Sequence, residues 1–429
     1  MGVFFVAVKT TGIFCRPICP ANLPKEENVE YFSSQALAVS AGYRPCLRCR
    51  PESAPHSWAW KGAETTFLRA LTLIEQGELD GSLETLASRL GISDRYLRQL
   101  FQRHLGMPPK QYAQIQQLMF AKQLLHTSQI SITEVAYASG FQSTRRFNDA
   151  FQKLFRLTPT QVRRERAALP SRNHLSLAFR GPFDWAHMLD FYRLRAIEGM
   201  ELIDEQSYQR HFVLGEGTGW FKASMAQSHL DIEFEMERLS DLRHLVARLR
   251  RMFDLDADLI SIEAHLEQLA PGLVRRTGIR IPGVWNAWEA GVRAVLGQQV
   301  SVKAAIGQLN LLVSTLAASE GSTRYFPTPE QVQMSDLSFL RMPERRKETL
   351  KRLADYVRLH PMDSPMAWLS LSGIGPWTVD YAQLRGESRS HCFLTGDLIV
   401  KKALAKFPQL TAESVAPWGS YATFHCWSH

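Results

Sequence analysis

Four cysteines stand in two close pairs near the start of the chain: Cys15 with Cys19, and Cys46 with Cys49. Two pairs at this spacing can converge on one tetrahedral ion, and zinc is the natural ion for four thiolates. Such a centre carries a net charge of about −2, and a zinc-bound thiolate is also a nucleophile. If one thiolate accepts a methyl group, the centre loses one negative charge and its repulsion of DNA phosphates falls. The same spacing serves a purely structural zinc equally well, so the pattern leaves both uses open.

A second group lies near the other end. Leu371-Ser372-Gly373-Ile374-Gly375-Pro376-Trp377-Thr378 reads as a helix, a glycine hairpin and a new helix. Glycines let the backbone turn tightly and approach a phosphate, whose charge the N–H groups at a helix start can hold. About 20 residues on, Phe393-Leu394-Thr395-Gly396-Asp397 places an acid after an apolar stretch and a glycine, where it can sit at a cleft rim. Taken alone, the hairpin is also an ordinary turn and Asp397 also a helix N-cap.

These groups need elements to hold them. Between them the chain repeats itself with an offset of 49 residues, from Leu86-Ala87 through Gly91 to Val135-Ala136 through Gly140. Each copy is a short helix, a glycine turn and a second helix, the pattern whose second helix enters a major groove. Those second helices present Arg95, Tyr96, Arg98 and Gln99, then Thr144, Arg145, Arg146 and Asn148. Such side chains reach phosphates and base edges; a helical bundle with a solvated polar face is the bland alternative. Arg166 to Asn173, with Pro170 and Ser171, reads as a linker. Beyond it the period changes to that of strands. Leu175, Leu177 and Phe179 alternate with polar or small residues, as do Leu230, Ile232, Phe234 and Met236, and Gly215, Gly217 and Gly219 mark a turn. From Pro282 the pattern is helical again, with Trp285, Trp288, Val292 and Val295 at helical spacing.

Bulk properties bound the answer. The 429 residues suffice for two to four domains, and 45% hydrophobic with 21% charged residues is an ordinary soluble composition. A formal net charge of +8 and a pI of about 9.2 suit a polyanionic partner. The apolar run Val3 to Val8 reads as a buried strand, too short for a signal peptide. No run approaches a membrane span. A cytoplasmic protein without membrane contact is therefore expected, its cysteines reduced and free for metal.

The residues also resemble known families. Thr10-Thr11-Gly12-Ile13-Phe14-Cys15-Arg16-Pro17 and Arg44-Pro45-Cys46-Leu47-Arg48-Cys49 resemble the methylphosphotriester-accepting domain of Ada-type regulators. The repeat that follows is similar to the AraC-type DNA-binding domain. The resemblance covers about residues 3 to 165 and implies one zinc on Cys15, Cys19, Cys46 and Cys49, with Cys15 the methyl acceptor. It also implies duplex DNA and RNA polymerase as partners of this half. Relative to that family the zinc domain reads as shortened at its start. No Pro-Cys-His-Arg-Val motif occurs, so the alkylguanine methyltransferase of Ada is not expected.

The hairpin, the Gly-Asp and the tryptophans resemble the helix-hairpin-helix glycosylases, and the AlkA-type 3-methyladenine DNA glycosylase II most closely. Gly291-Val292-Arg293-Ala294-Val295-Leu296-Gly297-Gln298-Gln299-Val300-Ser301-Val302 and Phe326-Pro327-Thr328-Pro329 carry the same resemblance, which spans about 175 to 429. It implies Asp397 as the catalytic carboxylate. Trp377, Tyr381 and Trp427 would line the base pocket, Gln299 would be the DNA wedge, and Gly373 and Gly375 would form the phosphate hairpin. Strand-cutting relatives carry a lysine where Trp377 stands, so no lyase step is expected. Only Cys392 and Cys426 lie in this part, too few for an iron–sulfur cluster; they read as buried small hydrophobes. His425 and His429 read as surface or core residues rather than ligands. Relatives extend a little beyond the position matching His429.

The expected fold is multidomain and mostly α with a small α+β lobe. A zinc domain spans 1–53, an AraC-type double helix-turn-helix 64–165, an AlkA-like lobe 174–280, and a helix-hairpin-helix glycosylase core 281–429. The expected protein is a monomer. Its function is monofunctional release of alkylated purines from DNA, joined to a methylphosphotriester-sensing regulator. Two rivals are a regulator whose glycosylase-like half only binds DNA, and a glycosylase with a vestigial zinc half.

Overall fold

A computed structural model describes residues 4–15, 19, 24–46, 65–75, 82–164, 173–316, 319–320, 323–361 and 363–428. Cys49, His429 and residues 166–172 of the linker lie outside the described residues. The chain divides into two compact units, Met1–Leu175 with Arg238–Ala247, and Ser176–Glu237 with Arg248–His429.

The first unit opens on a small sheet with strand order Val29–Phe32, Phe5–Val8, Ile13–Cys15 and Arg44–Pro45. The first three strands pair antiparallel, while Ile13–Cys15 runs parallel to Arg44–Pro45 in the register Phe14↔Pro45. That register sets Cys15 beside Cys46, and the Cys46 N–H donates to the Phe14 carbonyl at 2.9 Å. Phe5 and Phe14 meet edge-on beneath the sheet, 5.8 Å between centroids.

Seven helices follow among the described residues: Thr65–Glu75, Leu83–Arg89, Asp94–Leu105, Pro109–Thr127, Ile132–Ala138, Thr144–Phe155 and Pro159–Arg164. The repeat is visible in its caps. Ser82, Ser93, Ser131 and Ser143 each accept a backbone N–H at a helix start, which satisfies one of the orphan donors there. Gly91 and Gly140 turn the chain in the left-handed region (φ +69 and +84). The second copy carries one extra residue in its turn, since its second helix is capped by Ser143 rather than Gln142. The apolar stripe Leu97, Leu100, Phe101 and Leu105 has its counterpart in Phe147, Phe151 and Phe155, all buried. Each stripe fixes which side of its helix faces out.

In the second unit a five-stranded sheet runs in the order His174–Ala178, His229–Met236, Gly217–Met225, Ser207–Leu214, Glu201–Ile203. The strand at Leu175 stops at Ala178, so Phe179 leaves the alternation and packs edge-on against Phe183. Helices make up most of the rest. The central one, Ala287–Gly297, is buried at every position from Trp288 to Leu296. Trp285 falls outside that helix, despite its helical spacing, and stacks on Phe212 of the sheet at 4.9 Å.

Sheet and central helix are tied by charge. Arg210 donates to Glu289 (2.5 Å) and Glu201 (3.1 Å), and Arg293 to Glu289 (2.9 Å) and Glu201 (3.3 Å), all nearly inaccessible to solvent. Burial opposes ionisation of Glu289, but the two guanidinium groups outweigh it and hold the carboxyl below its usual range. Deleting one partner would strand a buried charge, at a cost of about 3–5 kcal/mol. Helix Pro376–Gly386 crosses the central helix closely enough that a Cβ on Gly386 would sit 2.5 Å from the Ala287 Cα.

Candidate functional site

A cavity of about 450 Å³ opens within the second unit. Helix Pro376–Gly386 supplies one wall: Trp377 and Tyr381, one turn apart, stack at 5.3 Å with their planes 25° apart. A second group on the lining joins Phe191 of helix Trp185–Arg193 to Phe424 and Trp427 of helix Gly419–Trp427. Phe191 and Trp427 lie nearly parallel, 6.3 Å apart, with Phe424 edge-on to both.

Asp397 stands on the lining. It N-caps helix Leu398–Leu404, and its Oδ1 accepts the N–H groups of Ile399 (2.8 Å) and Val400 (3.2 Å) and the indole N–H of Trp427 (3.1 Å). Among the described residues its Oδ2 makes no hydrogen bond. The cap thus uses one oxygen of a carboxylate that also stands on the cavity lining. Three donors on Oδ1 hold the side chain in place and leave Oδ2 as the acceptor still open.

Arginines enter the same space. Arg385, buried, donates to the Pro282 carbonyl (2.8 Å) and the Tyr381 hydroxyl (2.9 Å). Burial disfavours the Tyr381 phenolate, yet Arg385 and Arg195 outweigh that and bring the phenol below its ordinary pKa. The Arg195 guanidinium lies 3.7 Å from the Phe191 ring centroid. His187, lowered in pKa by burial, reaches Ser428 at 3.4 Å on the lining.

The glycine hairpin is the turn between the 3₁₀ helix Pro365–Ser370 and helix Pro376–Gly386. Gly373 adopts φ +92, and a Cβ there would lie 2.1 Å from the Thr349 hydroxyl. Gly375 caps the following helix through its backbone, with open space where a side chain would be. Gln298 Nε2 donates to the Gly373 carbonyl and the Thr378 hydroxyl, both at 3.2 Å. Its neighbour Gln299 is exposed, in the left-handed region at φ +57, with Val300 beside it on the cavity lining.

In the first unit the Sγ atoms of Cys15, Cys19 and Cys46 lie within 4.8 Å of one another, Cys19 and Cys46 at 4.0 Å. Bonds of about 2.3 Å to one tetrahedral zinc would set sulfurs about 3.8 Å apart, so these three fit a common ion. Cys49 is outside the described residues. Lys122, buried on helix Pro109–Thr127, reaches the Cys46 carbonyl at 3.5 Å. Arg95, Tyr96, Arg98 and Gln99 are exposed, as are Arg145, Arg146 and Asn148. Arg98 pairs with Asp94 one turn back at 2.9 Å. Cys392 and Cys426 are buried, and burial pushes both thiols up to about 12. His425 is buried as well.

Sequence reasoning thus leads to four residues that share one cavity, namely Asp397, Trp377, Tyr381 and Trp427. It misses Phe191, Arg195, Arg293, Arg385 and Phe424. Phe424 has a signal, since it lies one helical turn before Trp427. Arg293 lies inside the Gly291 to Val302 stretch and Arg385 on the helix that follows the hairpin, while Phe191 and Arg195 come from a segment that carries no motif.

Three family descriptions match this chain: the metal-binding domain of Ada at residues 1–52, a helix-turn-helix domain at 86–165, and the AlkA N-terminal domain at 174–286. The chain is 33% identical over 460 residues to a probable bifunctional transcriptional activator/DNA repair enzyme AlkA of Mycobacterium tuberculosis, covering 100% of this chain and 93% of the relative. It is 33% identical to DNA-3-methyladenine glycosylase 2 of Escherichia coli over 59% of this chain and 96% of that protein. The fold is shared with a 3-methyladenine DNA glycosylase from Archaeoglobus fulgidus, with a TM-score of 0.50 at 16% identity over 58% of this chain and 96% of that one. A zinc-binding Ada module, a helix-turn-helix repeat and an aromatic, carboxylate-bearing cavity on one chain, matched along its whole length, place it in the family of AlkA-type bifunctional transcriptional activator/DNA repair enzymes.

Proposed function

We propose that the second unit releases alkylated purines, of the 3-methyladenine and 7-methylguanine types, from duplex DNA by hydrolysis. The observation that carries this reading is the divided carboxylate of Asp397, with Oδ1 bound by three donors and the other oxygen open in an aromatic-walled cavity. A base inside a duplex must leave the stack before it can be attacked. An alkylated purine carries positive charge, and stacking on Trp377, Tyr381 and Trp427 favours such a cation by about 0.5–2 kcal/mol. As the glycosidic bond breaks, the sugar becomes oxocarbenium-like, and the Asp397 carboxylate stabilises it and orients or deprotonates the attacking water. The hairpin at Gly373 and Gly375 holds a flanking phosphate, and Gln299, at the exposed tip of its loop, fills the space the base leaves. Trp377 offers no amine to attack the sugar, so the strand stays uncut.

The first unit senses damage and binds DNA. Cys15, Cys19 and Cys46, with Cys49 as fourth ligand, hold one zinc, which when bound keeps its thiolates deprotonated and nucleophilic. Cys15 sulfur bonds the methyl carbon of a phosphotriester, the methyl–oxygen bond breaks, and the phosphodiester leaves as the anion. Arg95, Arg98, Arg145 and Arg146 contact DNA, and RNA polymerase is the partner for activation. The protein works as a monomer.

Asp397→Asn tests the enzyme reading. Asparagine retains the acceptor for the cap and the indole, so the variant should fold while base release from methylated duplex falls by orders of magnitude. Equal release by both proteins would end the role assigned to Asp397. Mass analysis after exposure to methylphosphotriester DNA tests the sensor, with one added methyl on Cys15 expected.

A further inference from the structure

Arg195 stands out among the charged groups of the cavity. Arg293 is neutralised by Glu289 and Glu201, and Arg385, almost fully buried, is bonded to the Pro282 carbonyl and the Tyr381 hydroxyl. Arg195, by contrast, makes one hydrogen bond among the described residues, from Nη1 to the Phe191 carbonyl at 3.2 Å, and no ion pair. Nε and Nη2 remain as donors on the cavity lining. The guanidinium is held rather than loose. Its plane rests on Phe191, 3.7 Å from the ring centroid, and the Arg195 carbonyl accepts a bond from Arg293 at 2.9 Å, itself clamped by two carboxylates. Burial, reinforced by Arg385 and Arg293, lowers its pKa to about 10, which leaves it charged at neutral pH. Through Phe191 it stands on the same wall as Trp427, the residue hydrogen-bonded to Asp397.

A cation with free donors, fixed in a cavity built for a base, is a reader of acceptors. A purine carrying a 6-oxo group offers its oxygen as an acceptor, and where N7 is unalkylated, as in hypoxanthine, the ring nitrogen as well, the pair that arginine binds in a fork. A 6-amino purine presents donor hydrogens at the same edge instead. Building on the glycosylase reading above, we propose that Arg195 is the specificity-determining residue of this cavity, donating from its free nitrogens to the 6-oxo edge of a flipped guanine-type or hypoxanthine base and disfavouring 6-amino bases. It touches the base edge and acts on selection, while Asp397 acts on the sugar.

The experiment measures 3-methyladenine and 7-methylguanine released together from one preparation of dimethyl-sulfate-treated duplex DNA, by the full-length protein and by Arg195→Met and Arg195→Lys. Methionine keeps an apolar stem against Phe191, and lysine keeps the charge without the fork. The ratio of the two bases cancels differences in folded fraction, which a merely structural role would not move. Loss of a charged hydrogen bond predicts that Arg195→Met releases 7-methylguanine roughly 10- to 100-fold more slowly, with 3-methyladenine changed far less. Arg195→Lys should fall between. A synthetic duplex with a single hypoxanthine should lose binding in parallel in Arg195→Met, read by anisotropy. An unchanged ratio in Arg195→Met, whether both rates fall or neither does, overturns the assignment to Arg195 and leaves the glycosylase reading standing. A wild-type protein that releases neither base overturns both.

Discussion

The cysteine cluster and the aromatic cavity are built on opposite plans. The cluster is local. Cys15 and Cys46 are brought together by one parallel register, Phe14 against Pro45, with Cys19 beside them, and the sulfurs that would do the chemistry are also those that would hold the metal. The cavity is assembled from segments between His187 and Ser428, and the carboxylate on its lining has one oxygen used for structure and the other left open. In the first region structure and chemistry are the same atoms. In the second they are separable, and substitution should distinguish the two plans.

The largest effect is expected at the cluster. Removing zinc by chelation should unfold the module around Phe5 to Cys46, since structural zinc in small sites supplies on the order of 10 kcal/mol of folding free energy. Hydrogen exchange should show loss of protection in the strands Phe5–Val8 and Ile13–Cys15, with protection in helix Ala287–Gly297 unchanged. Protection that survives chelation would mean that the cluster does not hold the module together. Asp397→Asn comes next and is the reverse case. Base release should fall about 10²- to 10³-fold or more, as for loss of one preorganised electrostatic group, with a melting temperature close to wild type. A large loss of stability would show that both oxygens are structural.

The two plans also decide which residues a linear chain makes legible. Cys15, Cys19 and Cys46 are legible because metal ligands must recur at close spacing. The glycine turns of the helical repeat are legible for a similarly local reason. Asp397, Trp377 and Tyr381 are legible through the family resemblance that a glycine hairpin and a Gly-Asp step about 20 residues apart carry, since the spacing alone fits a turn and a helix cap equally well. Phe191 and Arg195 are not, because they lie more than half the second unit away from Asp397 in sequence, in a lobe whose pattern announces only strands. Nor is the coupling of Arg210 to Glu289, since a charged residue in a strand and another in a helix give no sign that they are buried together. Trp285 misleads for a related reason: its spacing to Trp288 suits a helix, but stacking on Phe212 decides its place.

Gly373→Ala should have a smaller effect and probes the positioning of the cavity wall. The added Cβ meets the Thr349 hydroxyl at 2.1 Å and the Thr349 Cγ2 at 2.9 Å, and the backbone is at φ +92. Thr349 is buried and donates to the Arg345 carbonyl, so it cannot simply turn aside. A loss of about 2–4 kcal/mol in urea unfolding is expected from strain plus overpacking. Because helix Pro376–Gly386 starts just after this turn and carries Trp377 and Tyr381, KM for methylated duplex should rise as well. Stability lost with KM unchanged would separate the hairpin from DNA binding.

The smallest effect on base release is predicted at Asp254, a buried acid that the proposed chemistry does not use. Its carboxylate accepts from the Tyr421 hydroxyl (3.0 Å) and the Ile281 N–H (3.2 Å), and burial pushes its pKa up to about 7 against the pull of Arg280. The folded value lies above the unfolded value of about 3.9, so between those two limits the native state binds more protons than the unfolded chain. Stability from this group is therefore full in acid and is lost as pH rises through 7, by at most about 1.4 kcal/mol per pH unit. Asp254→Asn removes the titration and suits the backbone, since asparagine tolerates the left-handed φ of +52 found there. Comparing the two proteins by urea unfolding cancels other groups raised by burial, such as Glu263. The variant should gain on wild type steadily from pH 5 to 7.5, while base release at neutral pH stays within about threefold, a change worth less than 1 kcal/mol. If release collapses with Asp254→Asn, stability and chemistry share side chains in the second unit too, and its contrast with the cysteine cluster is lost.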